Sequence, residues 1–167
     1  VGAAIKIPSS SAGAWEFTDL ILVNNGAGVD ASGSGSVVMT DCTLQSNVND
    51  VILGGSTLMT FIEGTIDLPT VAVSDNAILE RARQLDVTVS ADSTTMADAP
   101  VKLLDGENRV VDSGTTNAAG AVDDMLFLTK IVDSSGTTTI ALAGYRVVTI
   151  AKVAYTSNVE IDIRYAM

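Results

Sequence analysis

The chain has 167 residues, enough for one domain or two small ones. Hydrophobic residues make up 47% of it and aromatics only 4%, so a core must be built from Val, Ile, Leu, Ala and Met. A net charge of −11 argues against binding phosphate backbones or anionic membrane surfaces, and the absence of histidine excludes Ser-His-Asp and Cys-His catalysis and His-based zinc sites within this chain.

In chain order, residues 1–14 read as an N-terminal strand or arm. Val1, Ala3, Ile5 and Ile7 fall on one face of a strand, and a Ser/Gly stretch follows. Two outcomes are open for this segment. It folds back as a local cap, or it adds to the sheet edge of a neighbouring subunit. On the second, Val1, Ala3, Ile5 and Ile7 are subunit-contact residues, and a contact of this kind does not close on itself. The chain begins at Val1 without a charged-then-apolar leader, which reads as a processed product or an excised piece.

Residues 15–84 carry a repeat of about 22 residues. Phe17-Thr18-Asp19-Leu20 aligns with Met39-Thr40-Asp41-Cys42 and with Phe61-Ile62-Glu63-Gly64, and a weaker copy starts at Leu79. Val29, Val51 and Val71 form a second column, each before a polar turn. This period, with β-branched segments and polar turns, predicts a solenoid. Phe17, Met39, Phe61 and Leu79 are expected in one inward stack, and Leu22, Leu44 and Ile66 in another. Asn25 over Asn47 predicts a side-chain amide ladder, and Pro69 is expected to end the stack. Ordinary hairpins whose spacing imitates a repeat are the alternative. Residues 15–84 resemble the right-handed parallel β-helix repeats of secreted carbohydrate-active and surface proteins.

From Leu85 the pattern changes to period 2. Leu85-Asp86-Val87-Thr88-Val89 alternates, as does the stretch from Val159 to Tyr165. Turn signals recur at Asp105-Gly106, Ser113-Gly114, Ala119-Gly120 and Ser135-Gly136. Ala99-Pro100-Val101-Lys102-Leu103-Leu104-Asp105-Gly106, then Ser113-Gly114-Thr115-Thr116-Asn117-Ala118-Ala119-Gly120, with the late Gly144-Tyr145, resembles the carboxypeptidase-regulatory-like, or prealbumin-like, β-sandwich. The region from Asp123 to Thr139 is longer than that family's pattern. The resemblance implies an accessory, spacer or adhesive role, as in prokaryotic surface proteins, and carries no catalytic residues.

The expected fold is therefore all-β: an arm (1–14), β-helix-like repeats (15–84) and an antiparallel Greek-key β-sandwich (85–167). One continuous sandwich or jelly roll is the alternative.

Asp19, Asp41 and Glu63 occupy equivalent repeat positions and are weak calcium candidates, since stacked carboxylates repel and Ca²⁺ prefers several oxygen ligands. A solvated outer face and a catalytic carboxylate group are the competing readings. Otherwise no metal, cofactor or catalytic residue is expected. Cys42, the single cysteine, reads as a small buried hydrophobe. Trp15 closes the first coil or stacks on a sugar.

The functional expectation is a non-catalytic extracellular or cell-surface structural subunit that associates with itself as a homopolymer in a layer (an S-layer), sheath or filament, or an adhesin meeting cell-surface glycans. It has no nucleic-acid partner and no membrane insertion. A fragment of a secreted polysaccharide lyase or epimerase, or a carbohydrate-binding module using Trp15 or Tyr145, stands as the alternative.

Overall fold

The computed structural model describes residues 2–10, 12–33, 35–141 and 144–149, and the backbone of 159–165. Val1 lies outside the described residues. The chain is all-β, and it divides into two compact units. Unit 1 is residues 1–82 with 128–139, and unit 2 is residues 83–127 with 140–167.

Unit 1 is a solenoid-like stack of about four turns. The first two coils contribute three short strands each. The first holds β1 (Ala3–Ile7), β2 (Ala14–Thr18) and β3 (Ile21–Val23). The second holds β4 (Ala27–Ala31), β5 (Ser36–Thr40) and β6 (Thr43–Gln45). The third holds β7 (Asn49–Leu53), β8 (Leu58–Ile62) and an isolated parallel bridge at Thr65. The fourth holds β9 (Val71–Val73) and the start of β10 (Ile78–Ala91).

Like strands pair in parallel from coil to coil, giving β1-β4-β7-β9, then β2-β5-β8-β10, and β3-β6. The spacing read from the sequence is the coil length. Phe17 pairs with Met39 and Met39 with Phe61, 22 residues per step. Leu22 lies on Leu44, and Val29, Val51 and Val71 form one column that begins at Ile5.

Two expectations about the last coil are corrected. Leu79 pairs with Met59, below Val37 and Trp15, and the residue in the column of Phe61 is Arg81. Coil three to coil four advances 20 residues, so an alignment that follows the apolar side chain at 79 slips by two. Pro69 does not end the stack. It sits at the start of a 3-10 turn (Leu68–Thr70), where a missing N–H is tolerated, and β9 resumes the ladder at Val71.

The core of unit 1 is largely aliphatic, with Phe61 at its centre. Val29, Val37, Met39, Leu44, Val51, Met59, Phe61 and Leu79 are fully buried. Beside β10, the second half of β14 (Ala121–Asp133) and then β15 (Gly136–Thr139) extend the sheet as a hairpin. Thr129 Oγ1 donates to the Arg81 carbonyl at 3.0 Å, and Val132 enters the same core. The region that is overlong for a prealbumin-like pattern therefore supplies the outer strands of the solenoid sheet.

Unit 2 is antiparallel. The second half of β10 pairs with β17 (Val159–Tyr165) and with the short β11 (Thr94–Thr95). The first half of β14 lies on its other side, with Val89 N donating to the Gly120 carbonyl at 2.8 Å. A second sheet runs β13 (Val110–Thr115), β12 (Pro100–Leu104), β16 (Arg146–Thr149). Leu85, Val87 and Val89 from one sheet share a core cluster with Val101 and Leu103 from the other. Phe127 and Tyr145 meet edge to face at 5.7 Å.

Candidate functional site

The coil corners explain the acidic column. Asp19, Asp41 and Glu63 have φ of 57°, 53° and 55°, the left-handed region in which Asp is among the better-tolerated residues. Their backbone N–H groups continue the ladder round the bend, to the carbonyls of Thr40, Ile62 and Ala82. Turn conformation thus accounts for Asp at two of these places. Asp19 and Asp41 are exposed and Glu63 is buried. No group of three metal-ligating side chains forms among the described residues, so the three do not converge as a calcium ladder there. A neighbouring corner repeats the device with Asn24 and Ser46, at φ of 59° and 57°.

The expected amide ladder is present, and it extends further than the repeat suggests. Asn47 Oδ1 accepts from Asn25 N at 2.9 Å and from Asn25 Nδ2 at 3.2 Å. Asn47 Nδ2 donates to the Leu22 carbonyl and to Asp50 Oδ1, both at 2.9 Å. Asp50 Oδ2 accepts from Asp67 N at 2.8 Å. Asn47 and Asp50 are buried, yet no buried side-chain polar atom lacks a partner among the described residues. The network ties three coils at one edge. Sequence reasoning missed Asp50; the signal was an acid three residues after a repeat asparagine, directly before the apolar run Val51-Ile52-Leu53.

Cys42 is fully buried between coils, where its thiol faces the carbonyls of Thr40 and Phe17. Burial pushes the thiol above its ordinary range, the opposite of a nucleophilic cysteine. Tyr145 packs on the unit 2 cluster.

The first coil has a distinct environment. Ile5, Trp15, Phe17 and Leu22 are only partly buried. Their column mates one coil on, Val29, Val37, Met39 and Leu44, are each 0% exposed. Inward side chains of a parallel stack are covered by the coils on either side, and among the described residues coil one pairs on one side only. Ala3, Ile5 and Ile7 lie in β1, which pairs along one edge with β4. Among the described residues no strand pairs with the other edge of β1, β2 or β3. Ile21 adds 72% exposure on the same coil.

At the other end of unit 1 the sheet of β10 is continued by β14 and β15, and Leu79 is fully buried. Among the described residues, then, the first coil gathers unpaired backbone edges and half-covered apolar side chains in one place. That combination suits a surface that takes up another β-structure. Searches against protein families, curated proteins and solved structures gave no significant match.

Proposed function

We propose that this chain is a non-catalytic structural building block of an extracellular or cell-surface assembly, and that it associates with itself through the first coil. One observation carries the reading: Val29, Val37, Met39 and Leu44, fully buried in coil two, have column mates in coil one that are only partly covered, although Ile7 of β1 is itself buried. Apolar surface of this kind favours association, and parallel edges left unpaired favour a partner with backbone groups to offer. The lack of histidine and the raised thiol of Cys42 weigh against acid–base or thiol chemistry.

As finer readings, we take the stack to be a right-handed parallel β-helix and the antiparallel unit to be a prealbumin-like spacer. Two sheets sharing one apolar cluster support the latter. Sedimentation velocity over a wide concentration range tests self-association. The proposal expects a sedimentation coefficient that rises with concentration. A coefficient that stays at the single-chain value throughout sinks it.

A further inference from the structure

Asn25 and Asn47 are column mates one coil apart, but the residues that follow them differ: Gly26 after the first, Val48 after the second. An asparagine before glycine is open to a reaction between its own side chain and the next backbone nitrogen, because glycine has no Cβ to hinder the approach. Asn25-Gly26 is the one Asn-Gly step in the sequence, and Asn25 is only half-buried, within reach of water. In the folded chain both reacting groups are held. Asn25 Nδ2 donates to the Val23 carbonyl at 3.0 Å and to Asn47 Oδ1 at 3.2 Å. Gly26 N, the nucleophile, donates to the Gly2 carbonyl at 3.1 Å. Gly2 leads directly into β1, whose Ala3 pairs with Ala27. The side chain is therefore tied to coil two, and the nitrogen is tied to the start of β1.

We propose that Asn25 is a conditional modification site: stable while β1 lies on β4, and open to deamidation once β1 lets go. Gly26 N, freed from Gly2, gives up its proton to water and attacks Asn25 Cγ. The bond from Cγ to Nδ2 breaks, and the side-chain nitrogen leaves as ammonia with a proton taken from water. One water then opens the resulting cyclic imide at either carbonyl. The product is aspartate or, with an extra carbon in the main chain, isoaspartate. The reaction consumes only water, and the chain gains one negative charge.

The product bars the way back. Asn47 Oδ1 accepts from both Asn25 N and Asn25 Nδ2. A carboxylate at position 25 offers acceptors only, so acceptor would meet acceptor. Asn47 cannot answer by turning its amide over. Its Nδ2 already donates to the Leu22 carbonyl and to Asp50 Oδ1, and a turned amide would set its oxygen against both. Isoaspartate also lengthens the main chain between β3 and β4, which disturbs the register that joins Ala27 to Ala3 and to Asn49. Release of β1 is thereby recorded as a covalent change that keeps the strand from docking again.

Peptide mapping by mass spectrometry, on the full chain kept dilute in mildly alkaline buffer, follows the reaction as a gain of about 1 Da on the segment holding Asn25, with aspartate and isoaspartate separated by chromatography. The folded chain is expected to deamidate at least about 10-fold more slowly than the same chain unfolded in urea, since the three hydrogen bonds on the reacting groups must open first. Across the parent, Ile5→Ser and Ile5→Asp, the rate should rise in the order in which β1 amide exchange rises. A variant that unfolds outright joins the urea reference, and the parent comparison still decides. Asn25→Asp, which reproduces one product, should exchange its β1 amides about 10-fold faster than the parent. Equal deamidation of the folded and unfolded chain overturns the inference, as does a rate that does not follow β1 exchange. An Asn25→Asp chain whose β1 is as protected as the parent's overturns the step in which the product bars redocking.

Discussion

Asp50 and Asn47 are joined by a 2.9 Å hydrogen bond from amide to carboxylate, and both side chains are buried at the edge of the stack. Every polar atom of this pair has a partner, so the network binds coils together without an unsatisfied buried group. Replacing Asp50 by Ala strands two donors, the Asn47 amide and the Asp67 N–H. The expected loss is about 1–3 kcal/mol, because the buried Asn47 amide loses its carboxylate acceptor while the N–H of the exposed Asp67 can turn to water. Urea unfolding of Asp50→Ala and the parent chain measures it, and a change below about 0.5 kcal/mol would contradict the network's role.

Gly64 follows the left-handed corner at Glu63 and is itself left-handed, with φ of 67°. A Cβ there would lie 2.1 Å from the Cys42 carbonyl oxygen, a backbone atom of the coil beside it. Gly64→Ala therefore combines a strained conformation with a backbone collision and is expected to cost about 2–4 kcal/mol. Gly2→Ala meets nothing within 4 Å and is expected to be close to neutral. Thermal melts of the two variants should separate clearly, and equal melting temperatures would argue against close coil contact at Gly64.

Much of the solenoid was legible because a parallel stack forces equivalent residues into columns. Phe17, Met39 and Phe61 announce their register through a constant 22-residue step. Leu79 misled because the step from coil three to coil four is two residues shorter than the others, and a leucine fits an apolar column better than Arg81 does. Asp19 and Asp41 were legible as a column, but a single letter does not tell a ligand from a residue chosen for its left-handed φ. The partial burial of Trp15 and Phe17 is not written in the repeat motif itself, though an end coil without a cap was expected. It depends on what lies beside each coil, which no single repeat unit specifies. The hairpin of β14 and β15 left only the trace of an overlong segment, because its place beside β10 is a long-range pairing without a local pattern.

In unit 2, Asp105 organises a turn. Its carboxylate accepts from the backbone N–H groups of Glu107 and Arg109, both at 2.9 Å, and from Arg109 Nε at 2.7 Å. The backbone hydrogen bond from Arg109 and then its guanidinium hold this carboxyl below its ordinary value of 3.8. A depressed folded-state value means the contribution is complete above the unfolded value and is lost as pH falls through the lower, folded one. The window therefore lies below about pH 3.8. Asp105→Asn is expected to be less stable than the parent near neutrality and to show a shallower pH dependence in that window, so that the two converge as pH falls. Denaturant midpoints measured from pH 2 to 7 check this, and a variant as steep as the parent would contradict it.

Amide hydrogen exchange followed by mass spectrometry, on the full chain at low and at high concentration, bears most directly on an in-register stack that associates through its first coil. Segments over β5 and β8, which pair on both sides, should be protected at both concentrations. Segments over β1 and β2 should exchange fast when dilute and slow down as concentration rises. Equal exchange of all four strands, or β5 and β8 exchanging as fast as β1 and β2, would contradict the account.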